Sequence, residues 1–185
     1  MLFLILFSFI AIGQVQADTY KIDASHSSVA FKIRHLVGNV KGSFSDFSGE
    51  VIYNKDDISK SSVKASIASK SIDTNNEKRD SHLKNEDFFN VEKFPKITFV
   101  SKRIEGNKII GDLSMHGITK EVVLDAEVSG VMKDPWGKTR AGFSATAIIN
   151  RNDFGVSYNK LMEAGGLMLG ENVSIELEIE AVLQE

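Results

Sequence analysis

The chain alternates apolar and polar residues with a period of two, and that pattern decides what it can fold into. Val29, Phe31 and Ile33 alternate with Ala30, Lys32 and Arg34. Val63, Ala65 and Ile67 alternate with Lys64, Ser66 and Ala68. The rhythm returns at Val122, Leu124, Ala126 and Val128, at Phe143, Ala145, Ala147 and Ile149, and at Ile175, Leu177 and Ile179. Successive side chains of a strand point to opposite faces, so each run has one apolar and one wet face. That is the signature of antiparallel sheet over one core; buried parallel strands are apolar on both faces. Breakers separate the runs at Asn54 to Lys60, at Glu105-Gly106-Asn107 and at Asp134-Pro135-Trp136-Gly137. The spacing predicts an all-β domain of about eight strands, a sandwich or a barrel. With 185 residues and neither a repeat nor a shift in composition, the chain reads as one domain.

Three stretches depart from the rhythm. Asn76 to Asn85 is polar and predicts one short helix between strands, anchored by Leu83 and Phe88-Phe89. Asn150 to Asn172 predicts a long irregular loop, rich in glycine yet carrying Phe154, Leu161 and Met168; such loops are often lids. Between Gly42 and Tyr53 the apolar phase shifts between Phe44 and Phe47, as at a bulge.

The first 17 residues read as an address. Leu2 to Ile12 is apolar except for Ser8, too short to span a bilayer but long enough for a signal-peptide core. Val15-Gln16-Ala17 supplies a small-x-small cleavage site, although no basic residue precedes the apolar run. The expectation is export to the periplasm or the medium, with residues 18–185 as the mature domain and no transmembrane anchor in it. The chain has no cysteine, which excludes a disulfide scaffold, a thiolate nucleophile and a thioether-linked lipid. A net charge of −3 gives no electrostatic footprint for nucleic acid.

Several inward positions are small: Ala65, Ala126, Ala145 and Ala147, with Gly111 and Gly117 on neighbouring strands. An eight-stranded barrel is either filled by its side chains or holds one ligand, and small residues favour a void. The remaining lining is apolar, suited to an alkyl or isoprenoid chain at roughly 0.8 kcal/mol per buried methylene. A densely packed core fits the same pattern, and both readings stay open at this point.

Chemical motifs are weak by comparison. His26, His35, His82 and His116 have no metal-ligand spacing. Asp23, His26, Ser27 and Ser28 crowd one strand start without a nucleophile elbow. Asp80, Glu86 and Asp87 read as a solvated helix face. No glycine-rich phosphate loop is present, and nothing calls for a metal or a cofactor.

Tyr20 to Asp23, HSSVAFKIRH (26–35), GSFSDFSGEV (42–51), residues 71–99, GDLSMHGITKEVVL (111–124), NRNDFGV (150–156) and GENVSIELEIE (170–180) together resemble the YceI-like family in order and spacing. The resemblance covers nearly all of the chain after its leader. It implies an extended antiparallel lipocalin-like barrel holding a polyisoprenoid, an isoprenoid quinone precursor or a similar long amphiphile, such as a fatty acid or amide. It implies a carrier or store rather than an enzyme, and is compatible with a homodimer. The expected ligand-binding set is Val29, Phe31, Ile33, His35, Ala65, Ile67, Phe99, Leu113, Met115, Leu124, Phe143, Ala145, Ala147, Phe154, Leu161 and Met168. Candidates to face a polar head are His35, Arg79, Asp80 and His116, with Arg79 and Asp80 alternatively a structural pair holding the helix to the barrel. The alternative function is an enzyme acting on an isoprenoid-type lipid, with His35 or His116 as general base.

N-terminal sequencing of the exported protein is expected to begin near Asp18. An exported chain that keeps Met1 contradicts the leader.

Overall fold

The computed structural model describes residues 17–163 and 165–185, so the expected leader, apart from Ala17, lies outside the described residues. The strands are β1 (Asp18–Ile22), β2 (Ser28–His35), β3 (Gly38–Phe44), β4 (Phe47–Tyr53), β5 (Ser62–Ala68), β6 (Ile72–Asp73), β7 (Lys96–Glu105), β8 (Lys108–Met115), β9 (Ile118–Lys133), β10 (Thr139–Asn150) and β11 (Leu169–Leu183). One α-helix, α1 (Glu77–Lys84), lies between β6 and β7.

These segments form one sheet that closes as an antiparallel barrel of eight strands. Three staves are each broken once. β1 and β2 lie end to end along β11: Tyr20 to Ile22 pair with Leu183 to Ala181, and Ser28 to His35 pair with Glu178 to Leu169. β3 and β4 run end to end along them, with Phe44 opposite Val29 and Val51 opposite Tyr20. β5 and β6 follow, with Ile67 opposite Phe47 and Ile72 opposite Phe44. The expected phase shift between Phe44 and Phe47 is this second break. Ser45 and Asp46 lie between the strands, and both phenylalanines are buried.

The breaks have local causes. The Asp23 side chain accepts a hydrogen bond from the Ser25 amide and starts a 3₁₀ turn, Ala24–His26, between β1 and β2. A second 3₁₀ turn, Ser69–Ser71, separates β5 from β6. Helix α1 falls inside the predicted polar stretch. Asn76 caps it by accepting from the Arg79 amide at 2.9 Å, and Asn85 ends it. Phe88 is buried, and the Phe89 ring meets Phe44 edge-on at 5.8 Å, so the segment after α1 covers one end of the barrel.

The stretch from Asn150 onward is more regular than its sequence suggests. A 3₁₀ turn, Arg151–Phe154, follows β10 directly. β11 starts at Leu169, paired with His35, and a register shift follows before Val173. That irregularity hides the start of β11 from a period-two reading.

At the opposite end, β9 and β10 form a long hairpin arm tied down by one guanidinium. Arg140 Nε donates to Asp134 Oδ2 at 2.8 Å, Nη1 donates to Asp23 Oδ2 at 2.9 Å, and Nη1 also bonds Glu180. The cluster joins the arm, the β1–β2 corner and β11. Asp23 is held far below the usual carboxylate pKa by Ser25, then Arg140, then His26. The Arg140 hydrogen bond also lowers the Asp134 pKa. A carboxylate whose pKa is depressed in the folded state adds stability above its unfolded value of about 4, and that stability is lost as pH falls below it. Arg140→Met is therefore expected to lower the melting temperature at neutral pH and to shrink its fall between about pH 4 and pH 2. Thermal unfolding of both proteins across that range checks this; identical curves would mean the cluster contributes nothing.

Candidate functional site

The barrel encloses a cavity of about 950 Å³ that runs along its axis. Its wall comes from the inward residues of every stave. β11 supplies Val173, Ile175, Leu177 and Ile179, and β9 supplies Val122, Leu124, Ala126 and Val128. From Leu169 to Ile179, a rise of about 3.4 Å per residue and a tilt of about 40° give roughly 25 Å along the axis. The cavity is a narrow, almost wholly apolar tube.

Small residues keep it open by a route the alternation does not reveal. A Cβ on Gly42 would lie 2.5 Å from Phe31 Cζ, and one on Gly111 would lie 2.6 Å from Phe99 Cζ. Each glycine leaves room for an aromatic ring; at Gly111 a Cβ would also lie 2.5 Å from the Val100 carbonyl oxygen, so the strand itself would have to shift. Gly117 differs: it lies in the β8–β9 turn rather than on a strand, with a φ of 78° and the Phe94 ring against it.

Of the residues expected at the site, Val29, Phe31, Ile33, His35, Ala65, Ile67, Phe99, Leu113, Met115, Leu124, Phe143, Ala145 and Met168 all line this cavity. Three do not. Ala147 is buried in the same core cluster as Ile149 and Phe154, but unlike Ala145 and Ile149 it does not border the cavity. Phe154 is 1% exposed and packs in the 3₁₀ turn beside β9, within the core cluster. Leu161 is 78% exposed because its pairing with Leu167 makes a small hairpin that stands clear of the barrel.

The polar candidates separate in the same way. His116 has left-handed backbone (φ 52°), its Nδ1 lies 3.2 Å from the Phe154 carbonyl oxygen, and its ring packs on Phe94. It is a turn residue and does not line the cavity. Asp80 is buried rather than solvated, and accepts from the Thr74 amide at 3.0 Å and from the Thr74 hydroxyl. Burial works to raise its pKa; bonds from Thr74 and the Asn76 backbone, with the nearby Arg79 charge, hold it below the usual carboxylate value. Arg79 donates to Thr74 Oγ1 at 2.7 Å and to the Thr74 carbonyl at 2.8 Å. The two residues thus fix α1 through Thr74, and Arg79 also borders the cavity.

The alternation gave no sign of the remaining polar groups at this end. Lys78, His82, Arg151, Tyr158 and Lys160 all border the cavity. Arg151 is 4% exposed and donates to the carbonyls of Gly170 (2.9 Å), Val156 (2.6 Å) and Tyr158 (2.9 Å). Burial lowers its pKa, with Glu171 opposing. The Asn159 side chain mimics a strand partner, donating to the Leu169 carbonyl and accepting from its amide. The His82 ring sits 5.0 Å from both Phe88 and Tyr158, and its Nε2 lies 2.9 Å from Asp87 Oδ2. Arg151, Asn159 and this aromatic trio fasten the segment 156–168 over the helix end as a cover. The lining at that end carries cations; among the described lining residues the acidic group is Glu127, exposed on β9 towards the opposite end.

A closed antiparallel barrel around a long apolar cavity defines the lipocalin-like class. The YceI-like domain matches residues 20–181, and the chain belongs to that family. A UPF0312 protein of Staphylococcus aureus strain MSSA476 is 43% identical over 168 residues, covering 90% of this chain and 98% of its own length. The crystal structure of a Campylobacter jejuni YceI protein is similar with a TM-score of 0.69 and 33% identity, over 82% of this chain and 90% of that one. Burkholderia cenocepacia BcnA shares the fold with a TM-score of 0.76 at 21% identity, over 86% and 99%. A polyisoprenoid binding domain from Saccharophagus degradans shares it with a TM-score of 0.63 at 13% identity, over 89% and 98%.

Ala145 and Ala147 offer a paired test of the wall. Ala145→Trp places its ring in open lumen, so the protein is expected to fold with little loss of stability and with a smaller cavity. Ala147→Trp forces the same ring into packed core and is expected to cost about 1–3 kcal/mol. Urea unfolding of the two variants distinguishes the sites; equal losses would mean that Ala145 is also packed core.

Proposed function

We propose that this protein is a non-enzymatic carrier or store for a long-chain isoprenoid-type amphiphile. The observation that carries the reading is the cavity: about 950 Å³, long, narrow, and lined by aliphatic and aromatic side chains through most of its depth. Burial of the tail favours binding by roughly 0.8 kcal/mol per methylene, without any directed contact. A sugar or an ion would find no partners along that wall. The neighbour from Saccharophagus degradans, described as a polyisoprenoid binding domain, supports the same ligand class. The head lies at the helix end, where His35, Lys78, Arg79, His82 and Lys160 border the cavity and supply donors. The leader reading places the carrier outside the cytoplasm, in the periplasm or the medium.

A carrier explains the site better than an enzyme does. His116 stands outside the cavity. His35 borders it, but no side chain among the described residues orients its ring by a hydrogen bond, as a general base requires.

Native mass spectrometry of freshly purified protein is expected to show a mass above that of the polypeptide, with organic extraction releasing a long-chain lipid. Incubation with isoprenoid alcohols is expected to give no product. A purely apo mass with an empty extract would contradict the carrier, and a product lost in a His35→Ala variant would establish the enzyme instead.

A further inference from the structure

Four of the exposed apolar residues lie at the helix end beside the cavity lining, apart from others such as Met132 and Trp136 on the hairpin arm. The β2–β3 turn and the 156–168 cover are joined edge to edge: the Leu36 amide donates to the Met168 carbonyl at 2.9 Å, and the Met168 amide donates to the Lys160 carbonyl at 3.0 Å. Leu161 pairs with Leu167 across the tip of the cover. These bonds place Leu36, Val37, Leu161 and Leu167 along one rim, beside the cavity-lining His35, Lys160 and Met168. All four are exposed, Val37 at 96% and Leu161 at 78%. They project from loop tips instead of forming a flat patch, and nothing in the barrel's packing needs them.

The β2–β3 hairpin beside this rim is basic. From residue 32 to 41 the chain carries Lys32, Arg34 and Lys41 and no carboxylate, and all three cations are exposed. Lys160 stands on the cover, with Glu163 at its tip and Glu171 beyond it. Gly170 lies against Arg34, so the basic flank of β2 and the apolar cover are neighbours.

We propose that this rim is a docking surface for an anionic lipid bilayer. The inference rests on the carrier reading of the cavity and adds where the carrier meets its lipid. Apolar tips reach the acyl boundary while the flanking cations face anionic headgroups. A ligand leaving the leaflet then passes from one apolar medium to another without crossing water. A flat apolar face would suit a second protein chain; protruding tips beside an opening, flanked by the exposed cations of β2 and β3, suit a lipid surface.

The test compares the parent chain with a Val37→Ser, Leu161→Ser double variant. Both positions are exposed, so the fold is expected to be unchanged. Co-sedimentation with vesicles of one part phosphatidylglycerol to three parts phosphatidylcholine is expected to fall about tenfold or more in the variant. Parent binding is expected to weaken as salt is raised, and Trp136→Ser, at the far hairpin, is expected to change nothing. Farnesol loading, read by native mass spectrometry, is expected to be the same in parent and double variant. Equal sedimentation of the two, or no sedimentation while both load farnesol, overturns the docking surface and leaves the carrier standing. A parent dimer that the double variant loses, without vesicle binding, assigns the rim to a second copy and likewise overturns it. Failure of both proteins to load farnesol overturns the reading of the cavity and this inference with it.

Discussion

The structure depends on the hydrogen-bond ladder that β11 makes with two successive partners. Its C-terminal part pairs with β1 and its N-terminal part with β2, and those pairings turn an open sheet into a ring. Once the ring closes, strand number and tilt set the diameter, whatever the side chains inside. Whether the interior is solid then depends on where the large rings lie. Here Phe31 folds over Gly42 on the neighbouring strand, and Phe99 lies against Gly111. The aromatic bulk is laid into the wall, and the axis stays clear.

The two ends of the tube differ in kind. At the hairpin end, Arg140 gathers three carboxylates from three parts of the chain, a contact that serves the frame. At the helix end, Arg151 forms no ion pair among the described residues and spends its donors on backbone carbonyls of β11 and the cover. The first arrangement makes one end firm. The second holds the cover through a few polar bonds around one buried cation, with the apolar rim outside it.

Much of this is legible in the sequence because period two is a local property. Val29, Phe31, Ile33, Val63, Ala65, Ile67, Phe143 and Ala145 declare their inward face without any knowledge of their partners. The helix is legible from its polar composition, and Asn76 and Asn85 mark its ends. Alternation cannot say which inward residues meet the lumen and which meet another wall. Ala147 alternates in phase with Ala145 and Ile149, which border the cavity, yet it is buried in the core cluster instead. Phe154 and Leu161 look alike as apolar residues in one long loop, but one is sealed in a 3₁₀ turn and the other stands in solvent. Asp80 reads as a surface carboxylate because the hydrogen bonds that draw it inward come from Thr74, outside the helix. Arg151 gives no local signal, since its role is set by carbonyls that β11 and the cover bring to it.

The most direct test of the central claim is a crystal structure of the protein after loading with a long isoprenoid alcohol. The account predicts continuous density along the axis, from the level of His35 and Met168 down to Ile179, with the Phe31 and Phe99 rings flat against the wall. Rings turned inward to meet across the axis, with no density between them, would show a solid barrel and contradict it.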